Sequence, residues 1–329
     1  MVKILVVNDP HVADRPPLGR TESYAEDIFA KLEEVRERAA ELSVTAVLIP
    51  GDLLHVKRAP HVSHALVQRL IVLFHSFPCP VYVLPGNHDL SEEGLPSLAR
   101  QPLGVLARAG VITLIGQDSQ RTITEVDAGV FLVARPFDAA RDADADYYAL
   151  TDAERDYLSR QGPSHATILV THGSIVPPGE VRPYPTVAAD FIDFTGIDLI
   201  LGSHIHEHMG VHEVSKGYFA NLGSLGRIAR TADSMTREVV CLRVTVQIDG
   251  GLFFEEVPIT SARPAAEVFL AMREGGEIDV FGAENFGDSI LAALDLEEMS
   301  VADLLAAYAA DLPDGVKRRL EHYLSAAGL

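Results

Sequence analysis

Seven residues with metal-binding side chains recur in five short, ordered blocks, and each block directly follows an apolar run of strand type. The blocks are Asn8-Asp9-Pro10-His11, Pro50-Gly51-Asp52, Gly86-Asn87-His88-Asp89, Thr171-His172-Gly173 and Gly202-Ser203-His204-Ile205-His206. Each alone says little, because Gly and Asp are ordinary turn residues and a lone histidine is a common satisfied polar group. Together they constrain the fold strongly. Residues so far apart in sequence serve one purpose only if the chain brings many strand ends to one place, as open α/β sheets do.

The residue types suit a pair of divalent cations. Two cations about 3.5–4 Å apart polarise a phosphoryl group and lower the pKa of a bound water. Holding them that close needs an anionic bridge, for which Asp52 is the candidate, while imidazoles and further oxygen ligands complete the shells. This donor mixture suits Mn, Fe or Zn better than Mg or Ca, and Mn2+ is the expected ion. In Asp9-Pro10-His11 and His204-Ile205-His206, residues i and i+2 of an extended segment share a face, so each pair is expected to enter one cavity.

Strand and helix signals alternate around the blocks. Ile4–Val7, Ala46–Ile49, Val81–Leu84, Ile168–Val170 and Leu199–Leu201 read as strands. Tyr24–Leu42 reads as an amphipathic helix with Ile28, Leu32, Val35, Ala39 and Leu42 on one face, and His61–Ser76 as a second helix. Strands follow one another over Val111–Val133 and Lys216–Ile259, and the acidic-to-mixed run Asp138–Arg155 reads as a surface insertion near the site. After residue 261 the character changes, and 262–329 is expected to be a mostly helical extension, with helices over Pro264–Met272 and Val301–Leu329. It serves either as a cap on its own sheet or as a partner-docking element.

These blocks resemble the calcineurin-like metallophosphoesterases over roughly the first 230 residues. The resemblance implies an α/β fold with a four-layer β-sandwich flanked by helices, residues 1–261 forming the phosphoesterase domain. It implies that Asp9, His11 and His206 bind one metal, that Asn87, His172 and His204 bind the other, and that Asp52 bridges. His88 would protonate the leaving oxygen or stabilise the transition state, with Asp89 orienting it through a hydrogen bond. The family usually has Gly where this chain has Ser203, which leaves the local backbone geometry open.

A finer resemblance lies in Gly51-Asp52-Leu53-Leu54-His55-Val56-Lys57-Arg58-Ala59-Pro60, which is similar to SbcD-type DNA-repair nucleases, the partners of SbcC-type ATPases. It implies that His55 positions a nucleic-acid phosphate. Asn221-Leu222-Gly223-Ser224-Leu225-Gly226-Arg227 is similar to the segment that closes the phosphoesterase domain there. Arg58 and Arg227 are the candidate phosphate contacts among the basic residues near the blocks, with Arg15, Arg20, Lys57, Arg135, Arg182 and Arg230 also nearby.

Composition sets limits on these readings. The formal net charge is −20, whereas non-specific DNA affinity comes largely from Lys and Arg on phosphates; recruitment by a partner would offset that deficit. No apolar run reaches the ~18–20 residues of a membrane span. The start, Met1-Val2-Lys3-Ile4, reads as entering a strand directly, so no signal peptide is expected. Cys79 and Cys241 are expected to be buried free thiols, consistent with a cytoplasmic protein. The leading expectation is an SbcD-like DNA exo- and endonuclease, in which an activated water attacks phosphorus in line with the leaving oxygen. The DNA partner is joined by an expected SbcC-type ATPase and an expected homodimer. The alternative is a small-molecule phosphodiesterase or phosphatase, such as a cyclic-nucleotide phosphodiesterase; a non-enzymatic scaffold would be expected to have lost ligands, and none is missing.

Overall fold

A computed structural model describes residues 1–270 apart from 18, 56–61, 92, 118–121, 128, 163–164 and 215. Arg58 and most of the extension expected over 262–329 therefore lie outside the described residues. One compact unit, Met1–Val268, carries all five blocks. It runs past residue 261 because Glu34 accepts the backbone N–H groups of Thr260 (3.0 Å) and Ser261 (2.7 Å), and Arg20 donates to the Val268 carbonyl at 2.9 Å.

Among the described residues the unit is built on two six-stranded mixed sheets. The first has the spatial order Leu252–Pro258, Val240–Val246, Val2–Val6, Ala46–Ile49, Val81–Val83 and Thr113–Leu114. The second runs Gly210–Val214, Gly217–Asn221, Leu199–Leu201, Ala166–Thr171, Val130–Arg135 and Ile123–Asp127. The inner strands of each sheet pair in parallel, so strands at the centre end on the same side. They are buried on both faces, which is why they read in sequence as continuous apolar runs.

Alternation along these strands makes the layers. Ile4, Val6 and Leu48 point between the sheets and pack with Leu132, Ile168, Val170, Leu199 and Leu201. Their neighbours Leu5, Val47 and Ile49 point outward onto the helices Tyr24–Glu41, His64–His75 and Pro102–Arg108, meeting Ile28, Leu32, Leu70 and Leu103. On the far side, Phe131, Val133, Leu169, Ile200 and Phe219 pack with Tyr147, Tyr148, Leu158 and Phe194. The result is the expected four-layer sandwich. The stretch Asp138–Arg155 is not a mere surface insertion: its charges obscure the two tyrosines and Leu150, which form part of the outer layer. Among the described residues no helix is long and apolar enough to cross a membrane. Both cysteines are free; Cys241 is buried and Cys79 half-buried.

Candidate metal centre

Four of the seven ligand-type side chains form a buried floor. Asp9, His11, Asp52 and His172 are at most 1% exposed, while Asn87, His204 and His206 are half-buried and complete the rim. The strand ends do not simply deliver extended segments. Asp9 (φ 43°), His11 (51°), Asp52 (47°) and His204 (85°) all have left-handed backbone, unusual for non-glycine residues and typical of sites where surrounding structure over-determines the chain. The i, i+2 face argument thus gives the right neighbours for a different reason: the chain turns sharply at the ligands. Two glycines permit the close approach. A Cβ on Gly51, itself at φ 124°, would run into the His172 ring, and one on Gly86 would run into Asp52.

The donor atoms form two sets that share Asp52. Asp9, His11, Asp52 and His206 offer ligand atoms within 4.8 Å of one another, and so do Asp52, His172 and His204. Asn87 Oδ1 joins the second set, 3.0 Å from His172 Nε2 and 3.2 Å from His204 Nδ1. Asp52 Oδ2 lies 3.3 Å from His172 Nε2 and 3.6 Å from His11 Nε2, is buried, and has no hydrogen-bond partner among the described residues. An orphaned carboxylate oxygen between two converging donor sets fits an anionic bridge between two cations.

Electrostatics agree with that fit. Burial holds the Asp9 carboxyl up at about 7 against the pull of His172. Burial would also raise Asp52, but His172 and His11 hold it well below the usual carboxylate range. Burial lowers His204 to about 4 and His206 to about 3, and lowers His11 as well, leaving neutral imidazoles of the kind that ligate metals. His172 differs: burial would lower it, yet Asp52 and Asp9 carry it to about 9. Its Nδ1 lies 3.1 Å from the Pro50 carbonyl and donates there, so a cation would take the place of the proton that Nε2 holds toward Asp52.

Side chains around the ligands were only partly legible in the sequence. Ser203, where the family pattern has Gly, donates its hydroxyl to Asp9 Oδ2 at 2.5 Å, and the His204 N–H reaches Asp9 Oδ1 at 3.2 Å. Tyr24 donates to the His11 carbonyl at 2.7 Å, and Asn8 to the Gly202 carbonyl at 2.7 Å. Phe137 stands beside His204, ring centroids 5.3 Å apart. Of these, Ser203 alone had a signal, as a departure from the pattern.

His88 and His55 sit against the first donor set. The His88 N–H donates to Asp52 Oδ1 at 2.8 Å, and its Nδ1 lies 2.7 Å from the His55 carbonyl. Nδ1 therefore carries a proton, and Nε2 is the nitrogen left to exchange one. The His55 ring stacks on His88 at 5.2 Å and 11° between planes, and its Nδ1 is 3.3 Å from His11 Nδ1. Burial lowers His55 to about 4.

Two expectations need correcting. Asp89 does not orient the His88 ring. Its carboxylate accepts the backbone N–H groups of Gly86 (2.9 Å), Leu54 (3.0 Å) and Leu53 (3.3 Å), tying the second block to the third, because a carboxyl at that helical turn meets backbone donors first. Arg227 is buried, with Nη1 on the Arg263 carbonyl (2.8 Å) and Nη2 on the Arg237 carbonyl (2.6 Å). It borders a cavity of about 280 Å3 beside His204 and His206, but both terminal nitrogens are taken up by backbone rather than offered to phosphate.

Fold and site together define a metal-dependent phosphoric ester hydrolase. A family model for calcineurin-like phosphoesterases matches residues 2–208, spanning all five blocks. The chain belongs to the calcineurin-like phosphoesterase family. It is similar to the 3',5'-cyclic adenosine monophosphate phosphodiesterase CpdA of Haemophilus influenzae, 23% identical over 220 residues that cover 64% of this chain and 71% of that protein.

Proposed function

We propose that this chain hydrolyses phosphodiester bonds of DNA in the manner of SbcD-type nucleases. Asp9, His11 and His206 hold one divalent cation, Asn87, His172 and His204 hold the other, and Asp52 bridges them; Mn2+ is the proposed ion. Cations there supply Lewis acidity toward a phosphoryl oxygen and a water of lowered pKa. The residues do the rest. His88 transfers a proton at Nε2 to the leaving oxygen, and His55, neutral and stacked on His88, positions the phosphate. The observation that carries the nuclease reading is the place of His55, which lies against His11 and His88 rather than in the core or on a remote surface.

A second reading, a cyclic-nucleotide phosphodiesterase, has its own support. The net charge is −20, and Arg20, Arg135, Arg182 and Arg227 have internal acceptors, which leaves little cationic surface for a polyanion. A phosphodiesterase-named relative points the same way. Under the nuclease reading an SbcC-type ATPase docking on the C-terminal extension, or a second copy of the chain, recruits the acidic body to DNA.

Hydrolysis of labelled duplex DNA, single-stranded DNA and a set of cyclic nucleotides by the Mn2+-loaded protein separates the readings, with Asp52→Ala as control. DNA degradation that Asp52→Ala abolishes, and that His55→Ala impairs more than it impairs bis-p-nitrophenyl phosphate hydrolysis, is the expected result. Turnover of a cyclic nucleotide with DNA left intact would overturn it in favour of the second reading.

A further inference from the structure

The segment Gly223–Arg227 makes no ligand, yet it is bonded to the first donor set from one side and to buried cations from the other. Its N–H groups face the site: Ser224 donates to the His206 carbonyl at 3.0 Å, Leu225 to the Asn8 carbonyl at 2.7 Å, and Gly226 to the Asp9 carbonyl at 3.2 Å. The carbonyls of Ser224, Leu225, Gly226 and Arg227 face away, and each of these four meets a cationic side chain. Arg237 Nη2 reaches the Ser224 carbonyl, Lys31 Nζ the Leu225 carbonyl at 2.8 Å, and Arg20 Nη1 the Gly226 and Arg227 carbonyls at 2.9 and 2.6 Å. Arg20 and Arg237 have carboxylate partners in Asp27 and Asp233.

Lys31 is the telling member. It is 3% exposed, on the same helix as the buried Ile28, Leu32 and Val35, where an apolar side chain would avoid the desolvation of an ammonium. Burial lowers it to about 7, with Arg20 and Arg227 adding to that. What the ammonium gains there is a hydrogen bond to the Leu225 carbonyl and the attraction of Asp27. The helix makes a second tie about two turns earlier in its course, where the Tyr24 hydroxyl holds the His11 carbonyl. The backbone of Asp9, His11 and His206 is thus held, directly or through one loop, by side chains that touch no cation and no substrate.

We propose that Lys31, Arg20 and Arg237 are positioning residues for one of the two cations, acting through the Ser224–Arg227 carbonyls on the ligands Asp9 and His206. The inference rests on the assignment of Asp9, His11 and His206 to a single cation. It makes the effect selective, since Asn87, His172 and His204 have no bond to this segment among the described residues.

Metal-free Lys31→Met protein titrated with Mn2+, followed by calorimetry and by electron paramagnetic resonance, tests the proposal. One Mn2+ per chain should bind with native affinity and the other about 10–100-fold more weakly, the usual effect of removing support behind a ligand. At intermediate Mn2+ the spectrum should change from a coupled pair to an isolated ion. Arg237→Met should give the same pattern and serves if Lys31→Met does not fold. Ile28→Ala, a core change on the same helix, should lower the melting temperature and leave both affinities unchanged. Two ions of native affinity in the folded Lys31→Met or Arg237→Met protein, or an equal loss in Ile28→Ala, would overturn the proposal. Failure of the unsubstituted protein to bind two ions would instead remove the two-cation reading, and this inference with it.

Discussion

Asp89 offers a quantitative test of how the site is held together, because one carboxylate serves three backbone donors. Oδ2 accepts from Gly86 and Leu53, and Oδ1 from Leu54, at 1% exposure. Asp89→Asn keeps the shape but has a single acceptor oxygen, so at least one buried N–H must face the new amide N–H2. An orphaned buried donor costs about 1–3 kcal/mol. Asp89→Ala orphans all three; some of that is recovered by water entering the space and by removing a carboxyl that burial has already raised to about 7. The net cost is set at about 3–5 kcal/mol. For a unit of this size 1 kcal/mol corresponds to roughly 2 °C in melting temperature. The expected losses are therefore about 2–6 °C for Asn and about 6–10 °C for Ala, read by calorimetry with Mn2+ above the carboxyl's pKa. Both variants should also slow bis-p-nitrophenyl phosphate hydrolysis, since Gly86 and Leu53 adjoin Asn87 and Asp52. Leu70→Ala, a core change elsewhere, should lower the melting temperature without that loss. An Ala variant melting within about 2 °C of the native protein, or an Asn variant as damaging as Ala, would refute the reasoning.

Other outcomes follow from the same geometry. Saturating Mn2+ should raise the melting temperature of the chelator-treated protein, by about 2.7 kcal/mol of stability at a hundredfold excess over Kd, and Asp52→Ala should abolish both that gain and turnover. His88→Ala should keep both metals, measured by elemental analysis, and cut turnover about 10²–10⁴-fold; an emptied site would contradict its assignment as the proton donor. Glu154 bears on stability against pH. Burial would raise its carboxyl, but hydrogen bonds from Arg135 and Thr122 bring it to about 2, below the ordinary 4.5. A depressed carboxyl stabilises the fold above the unfolded value and loses that contribution as pH falls from about 4.5 towards 2. Glu154→Gln, which breaks the buried pair with Arg135, should cost about 3 kcal/mol at neutral pH, and its gap to the native protein should narrow across that acid window in urea titrations.

Much of this protein is legible along the chain because its informative features are local. A strand buried on both faces has to be an apolar run, so Ala46–Ile49 and Leu199–Leu201 are found at the residues read from sequence. The ligand blocks follow those strands directly, and only donor chemistry was needed to see that Asp9, His11, Asp52, Asn87, His172, His204 and His206 belong together. What only the tertiary structure decided is the partner of each polar group, because a charged side chain carries its chemistry in sequence but not its neighbour. Arg227 and Asp89 looked like site residues, and the fold gives both to backbone groups. Lys31 carries no signal in the sequence pattern, and the fold buries it against Leu225. Ser203 looked like a departure from a pattern, and the left-handed turn at His204 brings its hydroxyl onto Asp9. From sequence alone come the expectation of two cations and, through the family resemblance, the side chains expected to hold them. Which groups hold those side chains in place depends on contacts between residues as far apart as Lys31 and Leu225, which no local pattern records.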